Sequence, residues 1–114
     1  MRKDIDISTK TLFTAEVLAK SGTATSTTIL DLAQSSGVCQ FQYVATGTGT
    51  FKVEALESID GVTYTTNGTP LASTKGAGNG IFAKDFAGIR FVKIKITEDG
   101  GAQPVTVTLK VNVT

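Results

Sequence analysis

Residues 104–113 alternate without a fault: Val105, Val107, Leu109, Val111 and Val113 fall on one side, Thr106, Thr108, Lys110 and Asn112 on the other. Successive side chains of a strand point to opposite faces, so the segment predicts a strand with one buried and one wet face. A helix would need apolar residues three or four apart, and this run does not supply them. Residues 89–97 repeat the pattern, with Val92, Ile94 and Ile96 inward and Lys93 and Lys95 outward. Residues 38–45 do the same through Cys39, Phe41 and Tyr43.

Elsewhere the pattern is less regular. Leu12, Ala15, Leu18 and Ala19 would suit a helical face, but the surrounding threonines and the parity of Phe13, Ala15 and Val17 favour a strand. Residues 21–26 have loop composition, and residues 27–32 predict a short strand. The Thr46-Gly47-Thr48-Gly49 link between alternating segments predicts a hairpin. Glu98-Asp99-Gly100-Gly101 predicts a second, leading into the last strand. Ser58-Ile59-Asp60-Gly61 holds an Asp-Gly turn, and residues 66–80, with Pro70 inside, form the longest irregular stretch. Residues 81–86 predict a short strand before the Ala87-Gly88 turn. Residues 1–9 alternate weakly through Ile5 and Ile7, as a short strand or an N-terminal arm would. About eight strands and no helix predict an all-β protein: one β-sandwich domain over residues 1–114, of jelly-roll or Greek-key type.

A chain of 114 residues with 40% hydrophobic and 18% charged residues is long and apolar enough to bury a core without disulfides or metal. The net charge of +1 lacks the basic excess expected of a nucleic-acid or anionic-membrane binder. Arg2, Lys3, Lys84, Arg90, Lys93 and Lys95 offer at most a local positive patch, and a solvated strand face is the simpler reading. No run approaches the roughly 20 apolar residues that span a bilayer. The N-terminal residues lack the apolar core of a signal peptide, so no membrane partner and no secretory export are expected. Cys39 is the single cysteine and shares strand parity with Phe41 and Tyr43, which predicts a buried small hydrophobe.

Chemistry is scarce. The sequence contains no histidine, so a serine or cysteine nucleophile has no ordinary base, and Gly-x-Ser-x-Gly is absent. Glu54 and Glu57 lie three apart and would point to opposite strand faces, while Asp60 and Asp99 occupy Asp-Gly turns. One cysteine without histidine cannot build a zinc site. Asp60, Asn67, Asp85, Glu98 and Asp99 would have to converge from separate loops to hold calcium. Gly76-Ala77-Gly78-Asn79-Gly80 lacks the spacing and the lysine of a phosphate loop. These absences predict a protein that is not an enzyme and has no cofactor. Tyr64, Phe82 and Phe86 are the aromatics nearest the irregular stretch; Tyr64 is the candidate surface aromatic, and core packing suits both phenylalanines better.

Ser58-Ile59-Asp60-Gly61-Val62-Thr63-Tyr64, the segment Ile89-Arg90-Phe91-Val92-Lys93-Ile94-Lys95-Ile96-Thr97 and the terminal Val105-Thr106-Val107-Thr108 together resemble small β-sandwich proteins of tailed bacteriophages. In these a strand ends in a Ser-x-Asp-Gly turn, and a late Arg-led strand pairs with a Thr/Val-alternating C-terminal strand. The resemblance covers roughly the second half of the chain. It implies a virion structural protein, assembled in the host cytoplasm, whose partners are capsid or other virion proteins. A head decoration protein that binds and stabilises the assembled capsid is the first expectation, and a minor tail or fibre-associated protein the second. It also implies a homo-oligomer, with a trimer favoured. Arg2, Lys3, Ile5 and Ile7 are then candidates for a subunit-contact arm that adds to a neighbour's sheet edge. The outward Thr, Lys and Asn of the terminal strand are either solvated surface or a contact with a neighbouring subunit. A glycan-binding β-sandwich module is the alternative from another class.

Overall fold

The computed structural model describes residues 8–66, 68–101 and 103–114, so the arm candidates Arg2, Lys3, Ile5 and Ile7 lie outside the described residues, as does Asn67. The described residues contain strands and no helix: β1 (Ser8–Leu18), β2 (Thr23–Thr25), β3 (Leu30–Asp31), β4 (Val38–Gly47), β5 (Phe51–Ser58), β6 (Thr65–Thr66), β7 (Ala72–Lys75), β8 (Gly78–Asp85), β9 (Phe91–Glu98) and β10 (Val105–Val113). One sheet has the order β1-β10-β4-β8. The other is built on the β9–β5 pair. β2 and β3 share the far side of β9, and β6 and β7 share the far side of β5. β2 with β3, and β6 with β7, are therefore each one interrupted strand. Each sheet then has four strand positions, and the chain changes sheet at every link between positions except β5–β6. That is the jelly-roll order, with every pairing antiparallel.

Two links turn differently from the expectation. β4 and β5 lie in different sheets, and so do β9 and β10, so their short Gly-containing connections are arches over the sandwich rather than hairpins. Alternation alone cannot distinguish the two, because both leave one face of each strand buried. The glycines show why an arch fits: Gly47 has φ 104°, and Gly49 donates its N–H to Pro104 O at 2.9 Å. A Cβ on Gly49 would lie 2.2 Å from Gln103 O, so the two arches press backbone to backbone. The true hairpin is β5–β6, around Asp60-Gly61.

The inward residues of both sheets form one core. Val105, Val107, Leu109 and Val111 of β10 face Phe51, Val53, Val92, Ile94 and Ile96, all fully buried. Each contributes about 1.5–3 kcal/mol by leaving water. Strand β1 departs from the expected parity. Leu12, Phe13 and Leu18 are buried, whereas Ala15 is exposed and Val17 is 64% exposed. Register breaks between Thr11 and Phe13 and between Phe13 and Glu16 reverse the alternation, and Ala15 takes a positive φ of 46° with its N–H on Thr108 Oγ1.

Three further boundaries differ. Residues 21–26, expected as loop, contain β2, while residues 27–32 supply only the two-residue β3. The stretch 66–80 contains β7 and the start of β8, so the glycine-rich segment enters a strand at Gly78. Gly80 is what Tyr43 requires: a Cβ there would sit 2.6 Å from the tyrosine ring.

Candidate interaction surface

The two outer faces of the sandwich differ in chemistry. On the β1-β10-β4-β8 sheet, Val44 stands between Thr108 and Asn79, and Gln42 between Lys110 and Ile81. Gln40 stands between Asn112 and Ala83. The outward residues of β4, β10 and β8 include only two charges, Lys110 and Asp85. Large apolar side chains are left in solvent there: Val38, Val44 at 49% and Ile81 at 71%, with Val17 at the β1 edge. A shallow depression of about 290 Å³ lies between Gln40, Gln42, Ile81, Lys110 and Asn112.

The outer face of β9 and β5 is ionic. Lys52, Glu54, Lys93 and Lys95 project from it, Glu54 opposite Lys95 in the register and 3.8 Å from Lys52 Nζ. Lys93 Nζ lies 4.3 Å from the centre of the Tyr64 ring. The candidate surface aromatic is thus half-buried, with a cation on its ring and its hydroxyl enclosed. Phe86 is buried, and Phe82 is half-buried and stacked on Phe41 with centroids 5.0 Å apart. Arg90 stands over Phe91 and pairs with Asp31 at 3.4 Å, and Lys84 belongs to the other sheet. Among the described basic residues, Lys84 is thus separated from Lys93 and Lys95, and Arg2 and Lys3 lie outside the described residues.

The two rims are held by carboxylates. Glu98, 2% exposed, accepts N–H bonds from Ser21 (2.9 Å), Gly100 (2.8 Å) and Gly101 (2.9 Å). These bonds, led by that from Ser21, hold its carboxyl below the ordinary glutamate value against the opposing effect of burial. Its neighbour Asp99 accepts from Thr50 Oγ1 (2.6 Å) and Thr74 N (2.8 Å). Two adjacent acids thereby link three connections of the chain and strand β7. At the opposite rim Asp60 Oδ1 accepts from Val62 N (2.8 Å), Thr63 N (2.9 Å) and Ser58 Oγ (3.0 Å). Bonds from Thr63 and then Val62 do most to hold its carboxyl below the ordinary aspartate value. This turn presents Ile59 and Val62, 77% and 82% exposed, beside a cleft of about 490 Å³ lined by Glu57, Thr63, Thr65 and Ile89.

The acids considered for calcium do not converge: Asp60 and Asp85 lie at one rim, Glu98 and Asp99 at the other. Among the described residues no three His, Cys, Asp or Glu side chains gather into a metal-binding group. Cys39 is fully buried, and burial, with Asp85 nearby, pushes its thiol up to about 11. Sequence reasoning missed the neutral outer face as a unit, because its residues come from four strands joined only by long-range pairing. The exposed Val44 and Ile81 carry no signal of their own in the chain.

No protein-family model and no curated protein sequence matches the chain. Its fold does have counterparts among solved structures. The SPBc2 prophage-derived protein YomS superposes with a TM-score of 0.57 at 14% identity, covering 100% of this chain and 99% of that one. A chain in the structure of infectious bursal disease virus, Gx strain, superposes with a TM-score of 0.56 at 13% identity. That match covers 95% of this chain and 31% of the viral one. At these identities the likeness is one of fold: the chain is an all-β sandwich of the kind found in a prophage-derived protein and within a larger viral chain.

Proposed function

We propose that this chain is a non-enzymatic structural protein of a bacteriophage virion, and within it a head decoration protein that binds the assembled capsid. The observation that carries the reading is the end-to-end match in fold with a prophage-derived protein, 100% of one chain against 99% of the other. The neutral outer face of the β1-β10-β4-β8 sheet supports it. A face with Val38, Val44 and Ile81 in solvent and two charges on three strands costs little to desolvate, as a protein contact requires. The work of such a protein is binding. A ligand that binds only the assembled shell shifts the assembly equilibrium toward that shell. In this reading the protein is made in the host cytoplasm, acts as a homo-oligomer, and uses Arg2, Lys3, Ile5 and Ile7 as an arm on a neighbouring virion subunit.

Cosedimentation with purified phage heads and tails tests the proposal. Saturable binding to heads and not to tails is the expected result. Binding to tails alone moves the protein to a tail-associated role. A chain that ignores both and is retained on a glycan column is a glycan-binding module instead. The arm is tested separately with Ile5→Asp and Ile7→Asp combined, which should weaken head binding while leaving the sandwich folded.

A further inference from the structure

A sandwich has four sheet edges, and each exposes unpaired backbone groups that invite another strand. Three of them are blunted here. The outer side of β9 carries only the short β2 and β3, and that of β5 only the short β6 and β7. Strand β1 is interrupted by two register breaks. The fourth edge, β8, is different. It is eight residues long, contains no proline, and pairs with β4 without a break from Asp85 to Gly78. Among the described residues nothing pairs with its other side.

The register fixes which groups are free. Phe86 N–H donates to Gly37 O at 2.8 Å, and Val38 is opposite Asp85. Even-numbered residues of β8 therefore bond to β4, and the N–H and C=O groups of Asn79, Ile81, Ala83 and Asp85 point away from it. We infer that β8 pairs antiparallel with β8 of a second copy across a two-fold axis at Phe82, joining two four-stranded sheets into one of eight.

The strand is complementary to itself in that register. Ile81 lies opposite Ala83 of the second copy, and Asn79 opposite Asp85. Lys84 lies opposite Gly80, where the Tyr43 ring occupies the place of the missing side chain, so it meets an aromatic rather than another cation. No like charges oppose each other. The two Phe82 rings, half-buried within each subunit, meet as a non-hydrogen-bonded pair, where cross-strand side chains approach most closely. The pairing forms about eight backbone hydrogen bonds, close to the roughly ten of an ordinary interface. A three-fold ring would need β8 to meet a different edge, and every other edge is blunted; the two-fold pairing uses the open edge twice. The pairing does not depend on capsid binding, so either can fail alone.

Sedimentation equilibrium of the full chain is expected to show a dimer of about 24 kDa, twice 11.9 kDa, at about 100 µM. Ala83→Pro deletes an outward N–H without touching the β4 ladder, and should give a folded monomer by circular dichroism. Phe82→Cys places two thiols at the axis within disulfide reach, and mild oxidant should link it as a dimer, while the parent with only buried Cys39 stays unlinked. A chain that remains monomeric to about 1 mM overturns the inference. So does a trimer, or an oligomer in which Phe82→Cys forms no cross-link, since a neighbour's arm or a different strand would then occupy the edge.

Discussion

The two outer faces belong to strands of the same kind and cover the same core, yet one is rich in charge and the other nearly neutral. On β9 and β5 the outward positions hold Lys52, Glu54, Lys93 and Lys95 beside Leu56, Phe91 and Thr97, with opposite charges adjacent and Tyr64 beneath a lysine. On β4 and β8 the corresponding positions carry Val38, Gln40, Gln42, Val44 and Ile81. Ionic side chains are far costlier to strip of water than valine, or than threonine and glutamine whose hydrogen bonds a partner can replace. The difference teaches that strand alternation sets which residues are buried within the subunit, while the composition of the outward half sets how much each face costs to strip of water.

The largest effect expected is the contrast between inside and outside on one strand. Leu109→Ala should cost about 2–5 kcal/mol in urea unfolding, and its neighbour Lys110→Ala less than about 0.5 kcal/mol. A loss at Lys110 as large as that at Leu109 would mean that the outer face also carries stability. Next, Val44→Lys should weaken binding to phage heads by about 100-fold with stability kept within about 1 kcal/mol, because it puts an unpaired cation in the neutral face. Lys95→Gln on the ionic face should leave binding unchanged; equal losses from both would end the distinction between the faces.

Acid separates the rims from both faces. The carboxyl of Glu98 is held below its ordinary 4.5 in the folded chain. Its contribution is thus full at neutral pH and is lost as pH falls below about 4.5 toward the folded value. Glu98→Gln should lower Tm at pH 7 and flatten the acid decline, so that its Tm converges on that of the parent at low pH. Val44→Lys should leave the shape of that decline unchanged. The smallest effect expected is Lys93→Gln, which removes the cation from the Tyr64 ring and should cost about 0.5–1 kcal/mol in a denaturant titration.

Much of the fold was legible along the chain. The alternation in residues 89–97 and 105–113 marks β9 and β10 and their buried residues, and about eight strands in a jelly-roll or Greek-key sandwich agrees with the eight strand positions observed. Four things were not legible, each for a physical reason. Ala15 adopts a positive φ that alanine does not favour, and the parity reversal in β1 accompanies a bond from its N–H to Thr108 on the neighbouring strand. Gly80 has loop composition but is a strand residue, because Tyr43 fills its missing side chain. The arches at Gly47 and Gly100 resemble hairpins because sheet membership depends on pairings such as Val113 with Cys39, far apart in sequence. The neutral face was hidden for the same reason; of the residues that compose it, only the outward Thr, Lys and Asn of β10 stood out as a possible contact.

The adjacent carboxylates of Glu98 and Asp99 also bear on where this scaffold accepts foreign sequence. A peptide grafted after Gly100 would break the bond from Gly101 N to Glu98 at the point where two neighbouring acids hold three connections and strand β7 together. A peptide grafted after Val62 would break the bond from Thr63 N to Asp60 but keep those from Ser58, Gly61 and Val62, all local to the turn. One rim is a knot and the other a self-contained turn, so foreign sequence belongs at the Asp60 end.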